Sequence, residues 1–373
     1  MILGVNGLRL VKGRSGVVRV IEAILRSFGR QDHPFTDVRV YTPRAIEDDG
    51  TYPAIVRNVV IGPHLPFSMW EQIALPAAHG GRDLLLCPSY IIPFAARCPT
   101  FLIHHGSYEG YPQAFPWWPR TKARMLYRLS ARRATTVTTV SHYSKRDMVR
   151  FYGMPAEKIH VVPNGVDTGR FHPVRDAELL AGWRRRFLGE DVPFFLYVGR
   201  PSSRRNLPNL FAAFGALKNE RRLPHKLLLI GTGLEGISLD PIIDGLGLGS
   251  HIVRVPHADH ADIALAYNAG EMLVYPSSYE GFGMPVLEAM ACGMPAIALD
   301  STAFPEFAGG VALLLPDARV ETLKAAMAGL LDDADRRRQM GVAGPLRAAA
   351  YEWSLITRRY LDLMTETAHG GRG

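Results

Sequence analysis

Few folds accommodate the stretch Ser277 to Ala298, SSYEGFGMPVLEAMACGMPAIA, together with the residues just before it. Met272 to Tyr275 (MLVY) is a short apolar run of the kind a buried parallel strand shows, and Pro276-Ser277-Ser278 ends it. Gly281 and Gly283 then open a helix from about Met284 that carries Val286, Leu287, Ala289, Met290 and Ala291 and stops at Gly293. Strand, glycine loop and helix in that order make one repeat of a doubly wound α/β sheet. The N–H groups at such a helix start, over Gly281, Phe282, Gly283 and Met284, sit at the positive end of the helix dipole and form a site for phosphate or for several hydroxyls. Glu280 lies on the loop before the helix, and Glu288 inside it, about a turn from its start. Carboxylates repel phosphate and match hydroxyl donors, so the ligand that fits is anionic in the middle and polyhydroxylated at both ends.

The same repeat recurs along the chain. Met1 to Val5 reads as a strand, Asn6 to Ser15 as a loop containing glycines and cations, and the segment from about Gly16 as a helix, with Val17, Val20, Ile21, Ile24, Leu25 and Phe28 at helical spacing. Further strands are expected around Asp37–Tyr41, Ala54–Ile61, Leu84–Pro88, Thr100–His104, Val137–Val140 and Lys158–Val162. A serine cap at Ser141 starts another helix, and Asn164-Gly165 makes a turn. Thr168 to Val192 is polar and reads as a linker. The pattern restarts at Phe194–Val198 and continues through Leu227–Ile230, Ile252–Val255 and Val311–Leu315, with helices at about Ala318–Leu331 and from Trp353 to about Thr367. The expected division is therefore 1–167, a linker 168–192, 193–350, and a final helix 351–373 that packs back on the first domain.

Two loops after strands carry chemistry. Arg200 and Arg205 follow Phe194–Val198, with Gly199 between strand and cations, and a pair of guanidinium groups there can grip a diphosphate from two sides. Gly231 opens the loop after Leu227–Ile230. His104-His105-Gly106-Ser107-Tyr108 follows Thr100–His104, where open α/β sheets bind ligands. His251, His257 and His260 lack the spacing and setting of a metal site and read as a solvated loop.

Composition narrows the partners. The 373 residues suit two domains, and 47% hydrophobic with 21% charged residues is ordinary for a globular protein. No apolar run is long enough to span a bilayer and no signal peptide is evident, so the cytoplasm is the expected compartment. Three cysteines without metal spacing fit a reducing compartment. A net charge of +8 calls for an anionic partner, and diphosphate, anionic lipid and nucleic acid all qualify. Residues 112–133 place Phe115, Trp117 and Trp118 beside Arg120, Lys122, Arg124, Arg128, Arg132 and Arg133. Two readings stay open for them: a contact with an anionic membrane surface, or a solvated basic helix with Met125, Leu126 and Leu129 turned to the core.

The string Tyr279-Glu280-Gly281-Phe282-Gly283 through Gly293 resembles the E-x7-E element of the retaining glycosyltransferases of family 4, which have the GT-B fold. Val198-Gly199-Arg200 with Arg205-Asn206 is similar to the family's V-G-R-x4-K-N, with arginine in place of lysine. Ser141 to Asp147 and Asn164 to Asp167 are similar to two further family segments. The resemblance implies two Rossmann-like domains facing across a cleft, a nucleoside diphosphate sugar as donor, a polysaccharide or lipid-linked oligosaccharide as acceptor, and transfer with retention and without a required metal or cofactor. It implies that Arg200 and Arg205 stabilise the leaving diphosphate, Glu288 accepts from the ribose, and Glu280 with Gly281, Phe282, Gly283 and Met284 holds the sugar. Gly13, Gly16, Gly199 and Gly231 let the donor approach the backbone, and His104 reaches the transferred sugar. His105 stands where the family has aspartate and is, with Ser107 and Tyr108, an acceptor-side candidate. Mannose from a guanosine donor is a common case in the family. Two other readings stay open: an epimerase or phosphorylase on the same fold, and an inactive scaffold. The cations sit on separate strand-end loops, so no nucleic-acid partner is expected.

Overall fold

The computed structural model describes residues 1–12, 15–46, 50–62, 65–66, 69–78, 81–111, 117–231 and 238–370, with only the backbone described at 12 and 117–119. Two compact units divide the chain: Met1–Gly165 with Trp353–Gly373, and Val166–Glu352. Among the described residues, no helix is long and apolar enough to cross a membrane.

The first unit is built on seven parallel strands, β1 (Ile2–Asn6), β2 (Asp37–Thr42), β3 (Val56–Val60), β4 (Leu84–Cys87), β5 (Thr100–His104), β6 (Thr136–Thr139) and β7 (Ile159–Val161), in the order β3-β2-β1-β4-β5-β6-β7. Alternate residues turn to opposite faces. Leu3, Val5, Leu84, Leu86, Phe101 and Ile103 meet Val20 and Ile24 of helix Gly16–Ser27, and Tyr360 and Met364 of helix Trp353–Gly370. The intervening Leu85, Cys87 and Leu102 turn to a second cluster with Trp70, Leu75 and Met148. A sheet covered on both faces needs apolar residues at every position, which is why these strands stand out in the sequence as continuous runs. The helices start on side-chain caps: Ser15 accepts from the Val18 N–H at 3.3 Å, and Ser141 from that of Ser144 at 3.0 Å.

The second unit has six parallel strands, β8 (Phe194–Val198), β9 (Lys226–Ile230), β10 (Ile252–Val255), β11 (Met272–Tyr275), β12 (Ala296–Leu299) and β13 (Leu313–Leu315), in the order β10-β9-β8-β11-β12-β13. The chain steps outward from β8 to β10, then returns to lay β11 on the other side of β8. Both units are thus Rossmann-like, and each has a switch point, β1/β4 in the first and β8/β11 in the second. Crevices that bind ligands open outside the carboxyl ends of the strands at such points.

Two segments differ from the sequence expectation. Residues 168–192, read as a linker, lie within the second unit and include helix Ala177–Leu188, capped by Asp176 and ended by Gly189. Its buried side is narrow: Trp183 stacks on Phe187 and on Phe194 of β8, and its ring N–H donates to Asp262 at 3.2 Å. The three exposed-type residues Arg184-Arg185-Arg186 mask that side in the sequence. Strand β12 was not anticipated, because AIAL is four residues long and half alanine, which carries little β preference.

Met364 is wholly buried in the first unit's core although it lies at the far end of the chain. Met364→Ala should therefore lower stability by about 2–4 kcal/mol. Urea denaturation checks this, and a loss below about 1 kcal/mol would show that the final helix adds little to that core.

Candidate functional site

The carboxyl ends of β8 and β11 carry a connected polar arrangement. Tyr197 and Tyr275, one from each strand, stack with ring centroids 5.7 Å apart. Their hydroxyls point into a cluster formed by Arg204, Arg205 and Glu280. Glu280 is almost wholly buried, with a side chain 7% exposed. Its Oε1 accepts from Tyr275 at 3.0 Å, from Ser277 at 3.0 Å and from Arg205 Nε at 3.3 Å, while Arg204 Nη2 lies 3.3 Å from both oxygens. Burial alone would push this carboxyl up, but the charges of Arg204 and Arg205 and the hydrogen bonds from Tyr275 and Ser277 outweigh it and hold it below its ordinary range. The carboxylate is therefore ionised and committed to the protein's own donors.

Arg205 is held by three contacts besides Glu280. Its Nη1 donates to the Arg200 carbonyl at 2.8 Å and to Tyr197 Oη at 3.2 Å, and its guanidinium lies 5.5 Å from the Tyr275 ring centre. Arg200 itself is exposed, and it enters the cluster through its carbonyl. Arg204 escaped the sequence reading, which followed the spacing of Arg200 and Arg205. Tyr197, Tyr275 and Ser277 escaped it too, since nothing in a strand's apolar run marks which hydroxyl will meet a charge.

Around this cluster the backbone is tightly specified. Gly199 has φ +140°, and a Cβ there would lie 2.1 Å from Arg205 Nη1. Gly231 stands beside it, its N–H bonded to Val255 and its neighbour Ile230 accepting from Gly199. Thr302 holds a left-handed conformation at φ 54°, costly for a β-branched residue, and its Oγ1 accepts the Glu280 N–H at 3.3 Å. Gly281 and Phe282 are buried, and Phe282 stacks on Phe307 at 4.6 Å. Gly283 caps helix Met284–Ala291 at φ 106° without a side-chain hydrogen bond, so the amides of this helix start are not covered by a capping side chain. Glu288, buried within that helix, accepts from Tyr267 Oη at 3.0 Å through Oε2. Two positive groups, backbone N–H groups and a buried carboxylate at a strand switch point can together hold an anion flanked by hydroxyls.

The first unit answers the histidine expectation differently. His104 ends β5 with no exposed surface, its ring boxed by Tyr90, Tyr127 and Tyr152, and its Nε2 lies 3.0 Å from Tyr152 Oη. Tyr152 in turn donates to the buried Glu109. Burial pulls His104 down to about 3 and His105 down to about 4, so both rings are neutral at ordinary pH. The ring thus ends β5 inside a box of three tyrosines, with its Nδ1 buried and without a hydrogen-bond partner among the described residues. His105 keeps 7% exposure and donates from Nε2 to the Pro88 carbonyl at 2.7 Å, which ties it to the end of β4 at the switch point. Ser107 is buried, Tyr108 is half-buried in a one-turn 3-10 helix, and Gly16 begins helix Gly16–Ser27. Gly13 and Phe115 lie outside the described residues, as do the side chains of Trp117 and Trp118.

Gly199→Ala should displace the Arg205 fork and force a non-glycine residue to positive φ, lowering stability by roughly 1–3 kcal/mol. Chemical denaturation reads this directly, and an unchanged midpoint would mean that the loop relaxes without strain.

Comparison with known proteins agrees with the two-unit fold. Residues 183–347 match the family model described as Glycosyl transferases group 1, and residues 14–170 match Glycosyltransferase Family 4. The chain is 26% identical over 279 residues to O-antigen chain mannosyltransferase B of Escherichia coli, covering 74% of this chain and 72% of that one. It is 29% identical over 320 residues to the GDP-mannose-dependent alpha-(1-6)-phosphatidylinositol monomannoside mannosyltransferase of Mycolicibacterium smegmatis, covering 82% and 78%. The match to D-inositol 3-phosphate glycosyltransferase of Kineococcus radiotolerans, 30% identical over 238 residues, covers 59% of this chain and about half, 54%, of that relative. In fold the chain superposes on sucrose-phosphate synthase from Thermosynechococcus elongatus with a TM-score of 0.78 at 21% identity, over 99% of this chain and 100% of that one. Anabaena HepE in complex with UDP-glucose gives 0.78 at 18%, over 98% and 99%. Two family models that between them take in both Rossmann-like units place this chain among the group 1, family 4 glycosyltransferases of the GT-B fold.

Proposed function

We propose that this protein transfers a hexosyl group from a nucleoside diphosphate sugar to a hydroxyl of a glycan or lipid-linked acceptor, with retention at the anomeric carbon and without a required metal ion. The observation that carries the reading is the cluster of Arg204, Arg205 and Glu280 at the β8/β11 switch point, followed in the chain by the uncapped start of helix Met284–Ala291. As the bond from the anomeric carbon to the diphosphate breaks, negative charge grows on the leaving oxygens. Preoriented positive groups stabilise that charge without having to reorganise, which is the largest single contribution in reactions of this kind. Arg205 is held in place for this task, and Arg200, exposed on the same loop, can close on the diphosphate from another side. The N–H groups from Gly281 to Met284 take the donor's remaining oxygens, and Glu288 accepts from the ribose. Glu280, with its oxygens already engaged, supplies no nucleophile, so a covalent glycosyl intermediate has no evident carboxylate. The acceptor oxygen then bonds to the face that the diphosphate leaves, and its proton passes to the departing diphosphate.

Mannose from GDP-mannose is the donor we favour, because three of the matched relatives bear mannosyltransferase names and one of them names GDP-mannose. Thermal unfolding against GDP, UDP, ADP and their sugar conjugates, without added metal, tests this. Ligand at 100 times its Kd adds about 2.7 kcal/mol to the folded state, and guanosine compounds should give the largest shift. No shift from any nucleotide would overturn the donor site. In a folded Arg205→Ala variant, turnover should fall by about a hundredfold or more, since Glu280 keeps Arg204 as partner; near-normal turnover would remove Arg205 from the reaction.

We also assign helix Trp117–Arg133 to contact with an anionic bilayer. Met125 is 63% exposed and Leu129 37%, beside Arg124 and Arg128, so apolar and cationic groups share one accessible stretch. Cosedimentation with vesicles containing anionic lipid should fall severalfold in a Met125→Glu/Leu129→Glu variant, and binding that stays unchanged would locate the contact elsewhere.

A further inference from the structure

The two arginines that face Glu280 are not equivalent. Every nitrogen of the Arg204 guanidinium is engaged by the protein: Nε donates to the Tyr279 carbonyl at 2.9 Å, Nη1 to Ser202 Oγ at 2.8 Å, and Nη2 to both Glu280 oxygens at 3.3 Å. Its backbone is engaged as well, since the Arg204 carbonyl accepts from the Ser278 N–H at 2.8 Å and the Ser278 hydroxyl at 3.0 Å. Beside it, Asn206 Nδ2 donates to the Pro276 carbonyl at 2.8 Å. The loop after β8 is thus stapled to the loop after β11. Arg205 differs: its Nε and Nη1 are bonded, but Nη2 has no partner among the described residues.

The charges add up unevenly. Glu280 carries one negative charge and the two arginines one positive charge each, all with side chains at most 19% exposed. With Arg205 and Glu280 alone, the pair would be neutral, and a buried neutral pair offers an anion little attraction. Arg204 restores one net positive charge, and each of its three guanidinium nitrogens is already engaged by the protein.

We propose that Arg204 is a positioning residue that neutralises Glu280, so that Glu280 can orient Arg205 while Arg205 keeps its charge for an anionic ligand. The inference rests on the reading that the second unit binds a nucleoside diphosphate. It gives the first carboxylate of the E-x7-E string a place between the two arginines, and it divides two adjacent arginines into one that balances charge and one that meets the ligand.

The test is a charge cycle. GDP, UDP and ADP are titrated calorimetrically into wild type, Arg204→Gln, Glu280→Gln and the double variant. The net charge of the cluster is one positive in wild type, zero in Arg204→Gln and one positive again in the double variant. Arg204→Gln should weaken binding of the nucleotide that wild type prefers by about tenfold, and adding Glu280→Gln should bring affinity back to within about threefold of wild type. A lost staple would not be regained by removing its remaining partner, so this recovery separates charge balance from a merely structural role. A double variant that binds no better than Arg204→Gln overturns the inference. Should Arg204→Gln fold poorly, Arg204→Lys keeps the charge and lacks the fork; it should bind within about threefold of wild type, and a loss of about tenfold in folded Arg204→Lys would equally overturn the inference. Wild type that binds none of the three nucleotides defeats the donor reading and this inference together, whereas wild type that binds with no recovery in the double variant defeats this inference alone.

Discussion

A single ionised carboxylate held out of water organises the β8/β11 strand end of the second unit. Removing a carboxylate from solvent costs several kcal/mol unless donors replace its hydration, and Glu280 receives them from Arg204, Arg205, Tyr275 and Ser277. Those donors come from the end of β11 and from the loops that follow β8 and β11. Only a sheet in which β11 lies directly beside β8 can bring them to one point, and the order β10-β9-β8-β11-β12-β13 does so. The dependence runs outward from there. Gly199 must lack a side chain because the Arg205 fork occupies the space, and Thr302 adopts a left-handed backbone while it receives the Glu280 N–H.

The first unit places neutral rings at the corresponding strand ends, with Arg9 bonded to Ser89 after β4 and Glu71 to Asn6 at the end of β1. His104 and His105 are buried, and burial keeps them neutral well below ordinary pH. Glu109, which has a tyrosine hydroxyl as partner where Glu280 has two guanidinium groups, is raised by burial instead of lowered. The contrast between the two glutamates follows from the partners alone, since both are buried. It also gives the units different character: a carboxylate paired with two guanidinium groups at the strand end of the second, and a box of tyrosine rings around a neutral histidine in the first.

Much of this architecture was legible in the chain. Strands such as β8, β9 and β11 showed as apolar runs because a parallel sheet is covered on both faces, and the E-x7-E string with its glycines marked the helix start beside Glu280. What escaped had particular causes. Helix Ala177–Leu188 hid behind three consecutive arginines, since only its Trp183 side is strongly buried. Arg204 looked like one of several loop cations. Nothing local in the sequence marks the box of Tyr90, Tyr127 and Tyr152 that encloses His104.

Local chemistry decided the elements: apolar runs, glycines and serine caps act over a few residues, so their consequences are written where they occur. The sequence by itself therefore determined two doubly wound units, the glycine and cation loops at their strand ends, and the residue types available there. Which of those residues carries free charge was settled by the tertiary structure alone. Arg205 and Glu280 are 75 residues apart, and Tyr152 and His104 are 48 apart. A charge in a poorly screened interior is governed by its nearest partners in space, and those partners are set by strand order, which no short stretch of the chain contains.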